Sequence, residues 1–199
     1  MKNWISEYLK DQTRATSVLP VEEIAAWIEL LRVARKEGRG IFVCGNGGSA
    51  ANASHFAVDL GKGASGLGAG AAKAVDAPGG PPRFRVFSLN DNVPWLTALA
   101  NDVGYEDVFS EQLKNYARPG DLLLGVSVSG NSPNLVKAFE WANAAGLITL
   151  ALVGGKTESR MARLAQRVIR VEATHYGRAE DAQMHVLHLL CYAFIEGKA

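Results

Sequence analysis

His55 and Asp59 stand four residues apart in the run Ala50 to Leu60, which reads as a helix, so the two side chains share one face. An imidazole and a carboxylate so placed form a base with its partner, a pair of metal ligands, or a surface ion pair. A second polar group, Glu180, Asp181, Gln183, His185 and His188, falls in a predicted final helix from about Ala179 to Glu196. His185 or His188 taken singly also fits an ordinary helix-face histidine. Eight residues separate Glu180 from His188, about 12 Å along a straight helix. Joint coordination of one ion therefore requires Glu180 to precede the regular helix; otherwise only one of the two ligates.

Two loops offer backbone chemistry. Gly45-Asn46-Gly47-Gly48-Ser49-Ala50 follows an apolar run and satisfies the dinucleotide pattern G-x-G-x-x-G/A in form. The full fingerprint needs an acid about 20 residues on, at the end of the second strand. Here that strand ends near Asn90 and Asp91, beyond a long insertion, which argues against a nicotinamide cofactor. Free N–H groups at a helix start instead suit a phosphate or a sugar oxygen. Ser127-Val128-Ser129-Gly130-Asn131-Ser132 gathers three hydroxyls at a strand end and helix start. By itself it is an N-cap and turn or an anion site; the equivalent glycine-rich loop favours a phosphate site.

Positioning these loops takes strands and helices in alternation. Ile41–Cys44, Arg83–Leu89, Leu122–Val128, Leu147–Val153 and Arg167–Val171 read as strands. Helices are expected at Ala50–Leu60, Val93–Ala100, Asp107–Tyr116, Asn134–Ala145, from about Ser159, and at the C-terminus. Uniformly apolar strands between helices predict a parallel sheet covered on both faces, a Rossmann-like three-layer α/β domain. Ligands in such sheets bind beyond the strands' carboxyl ends, where both loops lie. Before the core, Ile24, Trp27, Ile28 and Leu31 mark a helix between Pro20 and Gly38, and Trp4 to Leu9 a shorter one. A single domain over 1–199 is expected, with N-terminal helices at 1–38 and an α/β core at 39–199. Gly61 to Pro82 holds 7 of the 21 glycines and 3 of the 7 prolines. Such an insertion reads as a mobile loop or as a lid over the site.

The chain has 199 residues, 21 Lys+Arg against 20 Asp+Glu, and 48% hydrophobic residues. That length supports one full core, and a net charge of +1 supplies no bulk field for nucleic acid or a membrane surface. Cys44 and Cys191 sit in apolar runs and make no disulfide framework. With no signal-peptide pattern at Met1–Glu7 and no apolar run long enough for a membrane span, a cytoplasmic protein is expected, with neither nucleic-acid nor membrane partners.

Taken together these strings resemble the sugar isomerase (SIS) family, and within it the phosphoheptose isomerases. The resemblance rests on Cys44 to Ser49, His55-Phe56-Ala57 with Asp59, Ala100-Asn101-Asp102, Ser127 to Ser132, and the final helix with His188. It covers about residues 21–196 apart from the insertion. It implies a five-stranded parallel sheet in a homotetramer with active sites at subunit interfaces, converting sedoheptulose 7-phosphate to D-glycero-D-manno-heptose 7-phosphate, commonly with zinc. Position by position, it implies substrate contacts at Asn46, Gly47, Gly48, Ser49, Asn101, Asp102 and Glu180, with the phosphate at Ser127, Ser129 and Ser132. His55, Asp59, Glu180 and His188 fall on the family's zinc positions, Asp59 also on its general base and His188 on its second acid/base group.

Three positions depart from the family pattern. Asp59 stands for the usual glutamate, Glu180 for the usual glutamine, and Val128 for the middle hydroxyl of the serine loop. The chemistry suits the residue types: a carboxylate removes a proton beside a carbonyl, and an imidazole moves protons between the oxygens. A cation or fixed N–H donors stabilise the enediolate. The alternative is a non-catalytic SIS module that senses sugar phosphates or binds a replication initiator. Initiator-binding relatives lack the groups corresponding to Asp59 and His188, so the pair favours an enzyme.

Overall fold

The computed structural model describes residues 1–65, 80–155, 158–173 and 175–199. Five strands, β1 (Gly40–Gly45), β2 (Arg85–Ser88), β3 (Leu122–Ser127), β4 (Ile148–Gly154) and β5 (Arg167–Val171), form one parallel sheet in the order β2-β1-β3-β4-β5. The three inner strands are almost wholly buried, as strands covered on both faces must be. Successive side chains alternate between two cores. Ile41, Val43, Leu122, Leu124, Leu150 and Leu152 join one; Phe42, Cys44, Leu123, Ala151 and Val153 join the other.

Helices α1 (Lys2–Ser17), α2 (Val21–Glu37), α3 (Gly48–Gly61) and α8 (Tyr176–Ile195) cover the first core. Helices α5 (Val108–Tyr116), α6 (Pro133–Ala144) and α7 (Arg160–Leu164) close the second, and α4 (Val93–Asp102) lies beside them without a buried residue. The expected strands and core helices are all present, with ends shifted by a few residues. Two differences are larger. The first helix runs 16 residues rather than a turn or two, because its inner face needs only Ala15 and partly buried positions to dock on α8. The last begins at Tyr176, three residues before the expected start, where His175 supplies no side-chain cap to signal it. Trp27 and Leu31 of α2 are fully buried in the first core. Gly38 ends α2 in the left-handed conformation that its position past the helix predicted (φ +66°).

Between β1 and β3 the chain reverses the direction in which it adds strands. The crevice at such a switch point is where open α/β sheets bind ligands. The glycine turn follows β1 and the serine loop follows β3, so both expected loops border it. Of the insertion expected at 61–82, positions 66–79 lie outside the described residues, and with them the lid expectation.

Candidate active site

Close backbone approach explains the glycines of the β1 turn. A Cβ on Gly45 would stand 2.5 Å from the Ser49 carbonyl oxygen and 2.9 Å from that of Val126. Gly47, at φ +56°, occupies the N-cap position of α3. A Cβ on Gly48 would stand 2.5 Å from three carboxylate atoms of Glu180. Asn90, just after β2, clips the turn in place: it accepts from Gly45 N–H at 3.2 Å and donates to the Gly45 carbonyl at 2.8 Å. Its neighbour Asp91 accepts hydrogen bonds from Ser54 of α3 and Ser88 of β2. These two residues after the second strand thus fasten the turn and helix.

Asn46 is held by two residues that the sequence did not single out. Its side-chain amide pairs reciprocally with that of Asn134, both bonds 2.9 Å, and its oxygen also accepts from the Tyr105 hydroxyl at 3.0 Å. Asn134 sits in the first turn of α6 and Tyr105 in the 3-10 turn Tyr105–Asp107 after α4. The only available signal was their place just beyond two recognised strings, Ser127 to Ser132 and Ala100 to Asp102. Asn101 and Asp102 are exposed at the end of α4 and bond to each other at 2.8 Å. Ser49, by contrast, is buried.

The serine loop is internally braced yet leaves a free hydroxyl. Ser127 accepts from Gly130 N–H at 3.0 Å, and Ser129 from Asn131 N–H at 3.3 Å. Ser132 occupies the N-cap of α6 but makes no side-chain capping bond, so the simple N-cap alternative does not account for its hydroxyl. Pro133 at the first helical position has no N–H to satisfy, and the start of α6 favours an anion.

Helices α3 and α8 bring His55, Asp59 and His188 together. Asp59 Oδ2 lies 3.2 Å from His55 Nε2 and 3.6 Å from His188 Nε2, and the two rings meet edge to face at 5.1 Å. The His55 and Asp59 spacing is thus part of a three-residue cluster, partly open to solvent, rather than an isolated surface ion pair. One ligand atom from each residue lies within 4.8 Å of the others. A tetrahedral zinc with bonds of about 2.0–2.1 Å requires donor atoms about 3.3 Å apart; the Asp59–imidazole separations of 3.2 and 3.6 Å lie near that value, so the donor types and the spacing about Asp59 suit such an ion. Three protein ligands with a fourth position left open is the pattern of catalytic zinc.

Glu180 stands apart from that cluster. It is the fifth residue of α8, so it does not precede the regular helix. Its backbone carbonyl accepts from Asn52 at 2.9 Å while its carboxylate rests against Gly48. The helical rise that separates it from His188 leaves three of the four expected ligands grouped within one chain.

The molecule is therefore a doubly wound α/β protein with an anion-compatible loop at its switch point and a carboxylate–imidazole cluster between α3 and α8. A model described as "SIS domain" matches residues 7–154, and the chain belongs to the SIS domain family. It is 37% identical over 195 residues to a phosphoheptose isomerase of Akkermansia muciniphila, an alignment covering 94% of this chain and 95% of that one. A solved structure of phosphoheptose isomerase from Neisseria gonorrhoeae is 26% identical with a TM-score of 0.79, covering 97% of this chain and 95% of the other. One from Francisella tularensis shares the fold at a TM-score of 0.82 and 22% identity, covering 98% and 96%. Among the described residues no helix is long and apolar enough to cross a membrane.

Proposed function

We infer that this protein is a phosphoheptose isomerase, interconverting sedoheptulose 7-phosphate and D-glycero-D-manno-heptose 7-phosphate through an enediolate. The observation that carries the reading is the grouping of His55, Asp59 and His188 between α3 and α8 of a chain 37% identical to a phosphoheptose isomerase over 94% of its length. Ser127, Ser129 and Ser132, with the N–H groups at the start of α6, hold the phosphate. That contact supplies binding energy remote from the reacting carbons. Asn46, Gly47 and Gly48 contact the sugar, with Asn101, Asp102 and Glu180 bordering it.

Asp59 takes the proton from the carbon beside the carbonyl, and His188 moves protons between the two oxygens. His55, Asp59 and His188 would hold a zinc ion, which when bound would supply polarisation of the substrate oxygens. Asp59, one methylene shorter than the family's glutamate, starts closer to its own helix, and the carbon must approach accordingly. His55 is half-exposed, which suits a site completed by a neighbouring subunit of a cytoplasmic homotetramer. A non-catalytic sugar-phosphate sensor would have no use for the Asp59–His188 pair, and the cluster favours the enzyme.

Incubating purified protein with sedoheptulose 7-phosphate tests this reading. Formation of the aldose 7-phosphate is expected; no aldose, with or without added zinc, overturns it.

A further inference from the structure

Asn46 is hydrogen-bonded almost to capacity, and the identity of each bond follows from one backbone group. The Leu135 N–H can only donate, and it meets the Asn134 side chain at 3.0 Å, so the atom facing it is the amide oxygen. Asn134 is 2% exposed and cannot turn over without leaving that N–H unpaired. Its oxygen also accepts from Asn46 Nδ2, and its nitrogen donates to Asn46 Oδ1, each at 2.9 Å. The Tyr105 hydroxyl adds a second donor to the same Oδ1 at 3.0 Å. An amide oxygen has two lone pairs and an amide nitrogen two hydrogens. Both lone pairs of Asn46 are therefore occupied, and one Nδ2 hydrogen remains.

We propose that Tyr105 and Asn134 are positioning residues that lock the Asn46 amide in one orientation, so that it presents a single N–H donor, and no acceptor, to an oxygen of the bound sugar phosphate. The lock joins three separate elements: the turn after β1, the 3-10 turn after α4 and the first turn of α6. A donor fixed before the ligand arrives needs no reorientation as charge grows on the oxygen it meets, which is the condition for electrostatic stabilisation. The same lock sets specificity, because a ligand that must donate at this position meets no free lone pair. This rests on the isomerase reading for its kinetic test, but the orientation itself does not.

Kinetics supply the first measurement. Tyr105→Phe is expected to lower kcat/KM for sedoheptulose 7-phosphate about 5- to 10-fold, the scale of one hydrogen bond. In an Asn46→Ala background the same substitution is expected to change kcat/KM by less than about 2-fold, because nothing remains to be positioned. An equal factor in both backgrounds assigns Tyr105 a purely structural role and overturns the proposal. So does a Tyr105→Phe enzyme that matches wild type.

The second measurement needs no substrate. In protein carrying [15N]asparagine, the Asn46 side-chain signal is identified by its loss in Asn46→Ala. One of its two amide protons is expected to exchange with water at least about tenfold more slowly than the other, with the difference reduced in Tyr105→Phe. Two protons exchanging equally fast in wild type overturn the lock. A wild type that neither binds nor converts the heptulose phosphate removes the isomerase reading, while this exchange experiment still decides the orientation.

Discussion

Glu180 rests its carboxylate against Gly48, so closely that a Cβ at position 48 would stand 2.5 Å from three of its atoms. The contact joins the second turn of α8 to the first residue of α3, the helix that carries His55 and Asp59. It sets Glu180 at the positive end of α3.

This relationship separates two glycine substitutions that look alike in sequence. In Gly48→Ala the obstructing atoms end a side chain that can swing away, and helix propensity favours alanine by up to ~1 kcal/mol. The melting temperature is expected to stay within a few degrees of wild type while turnover falls. In Gly45→Ala the obstruction is backbone, the Ser49 and Val126 carbonyls. A loss of about 3 kcal/mol or more is expected, read as a large drop in the denaturation midpoint.

Asp59→Asn keeps size and shape but removes the basic oxygen. Turnover is expected to fall by about 10²- to 10⁴-fold, the usual contribution of a general base. Binding of sedoheptulose 7-phosphate, followed by thermal shift, is expected to persist because the serine loop is untouched. Unimpaired turnover would remove Asp59 from the base role.

Metal dependence is checked separately. Chelation is expected to abolish most activity and zinc to restore it, with elemental analysis showing about one ion per chain. His188→Ala is expected to weaken zinc retention in equilibrium dialysis at least about tenfold, since it removes one of three grouped donors. Wild-type protein free of divalent metal and indifferent to chelation would take zinc out of the mechanism.

Burial pushes both thiols up from their ordinary range: desolvation alone acts on Cys44, and desolvation followed by the Asp59 charge on Cys191. The thiolate is the reactive form, so folded protein is expected to resist thiol reagents at pH 8, with two thiols per chain reacting after denaturation. Rapid labelling of native protein would contradict the buried placement.

Asp121 offers a stability test away from the chemistry. Its carboxylate accepts from Gly40 N–H at 2.7 Å and Arg118 N–H at 2.8 Å, tying the starts of β1 and β3 together while itself 5% exposed. Asp121→Ala leaves both donors without that partner and is expected to cost about 2–4 kcal/mol in urea denaturation. Because Asp121 bonds to none of the candidate site residues, kcat per folded molecule is expected to remain within about twofold.

Much of this protein was legible in its sequence because the signals are local. Apolar runs such as Leu122–Val126 mark buried parallel strands, and helical spacing places His55 and Asp59 on one face. The glycine and serine strings identify the two loops at the switch point, and with them the family. What only the tertiary structure decided are contacts between elements far apart in the chain. His188 reaches Asp59 across two helices, Tyr105 and Asn134 close on Asn46, and Glu180 lies against Gly48 instead of beside His55, Asp59 and His188. Periodicity tells which face of an element is buried, but not which residues of two packed faces meet. That depends on how the helices sit on the sheet, and here it brought carboxylates, imidazoles and amides scattered along the chain into contact.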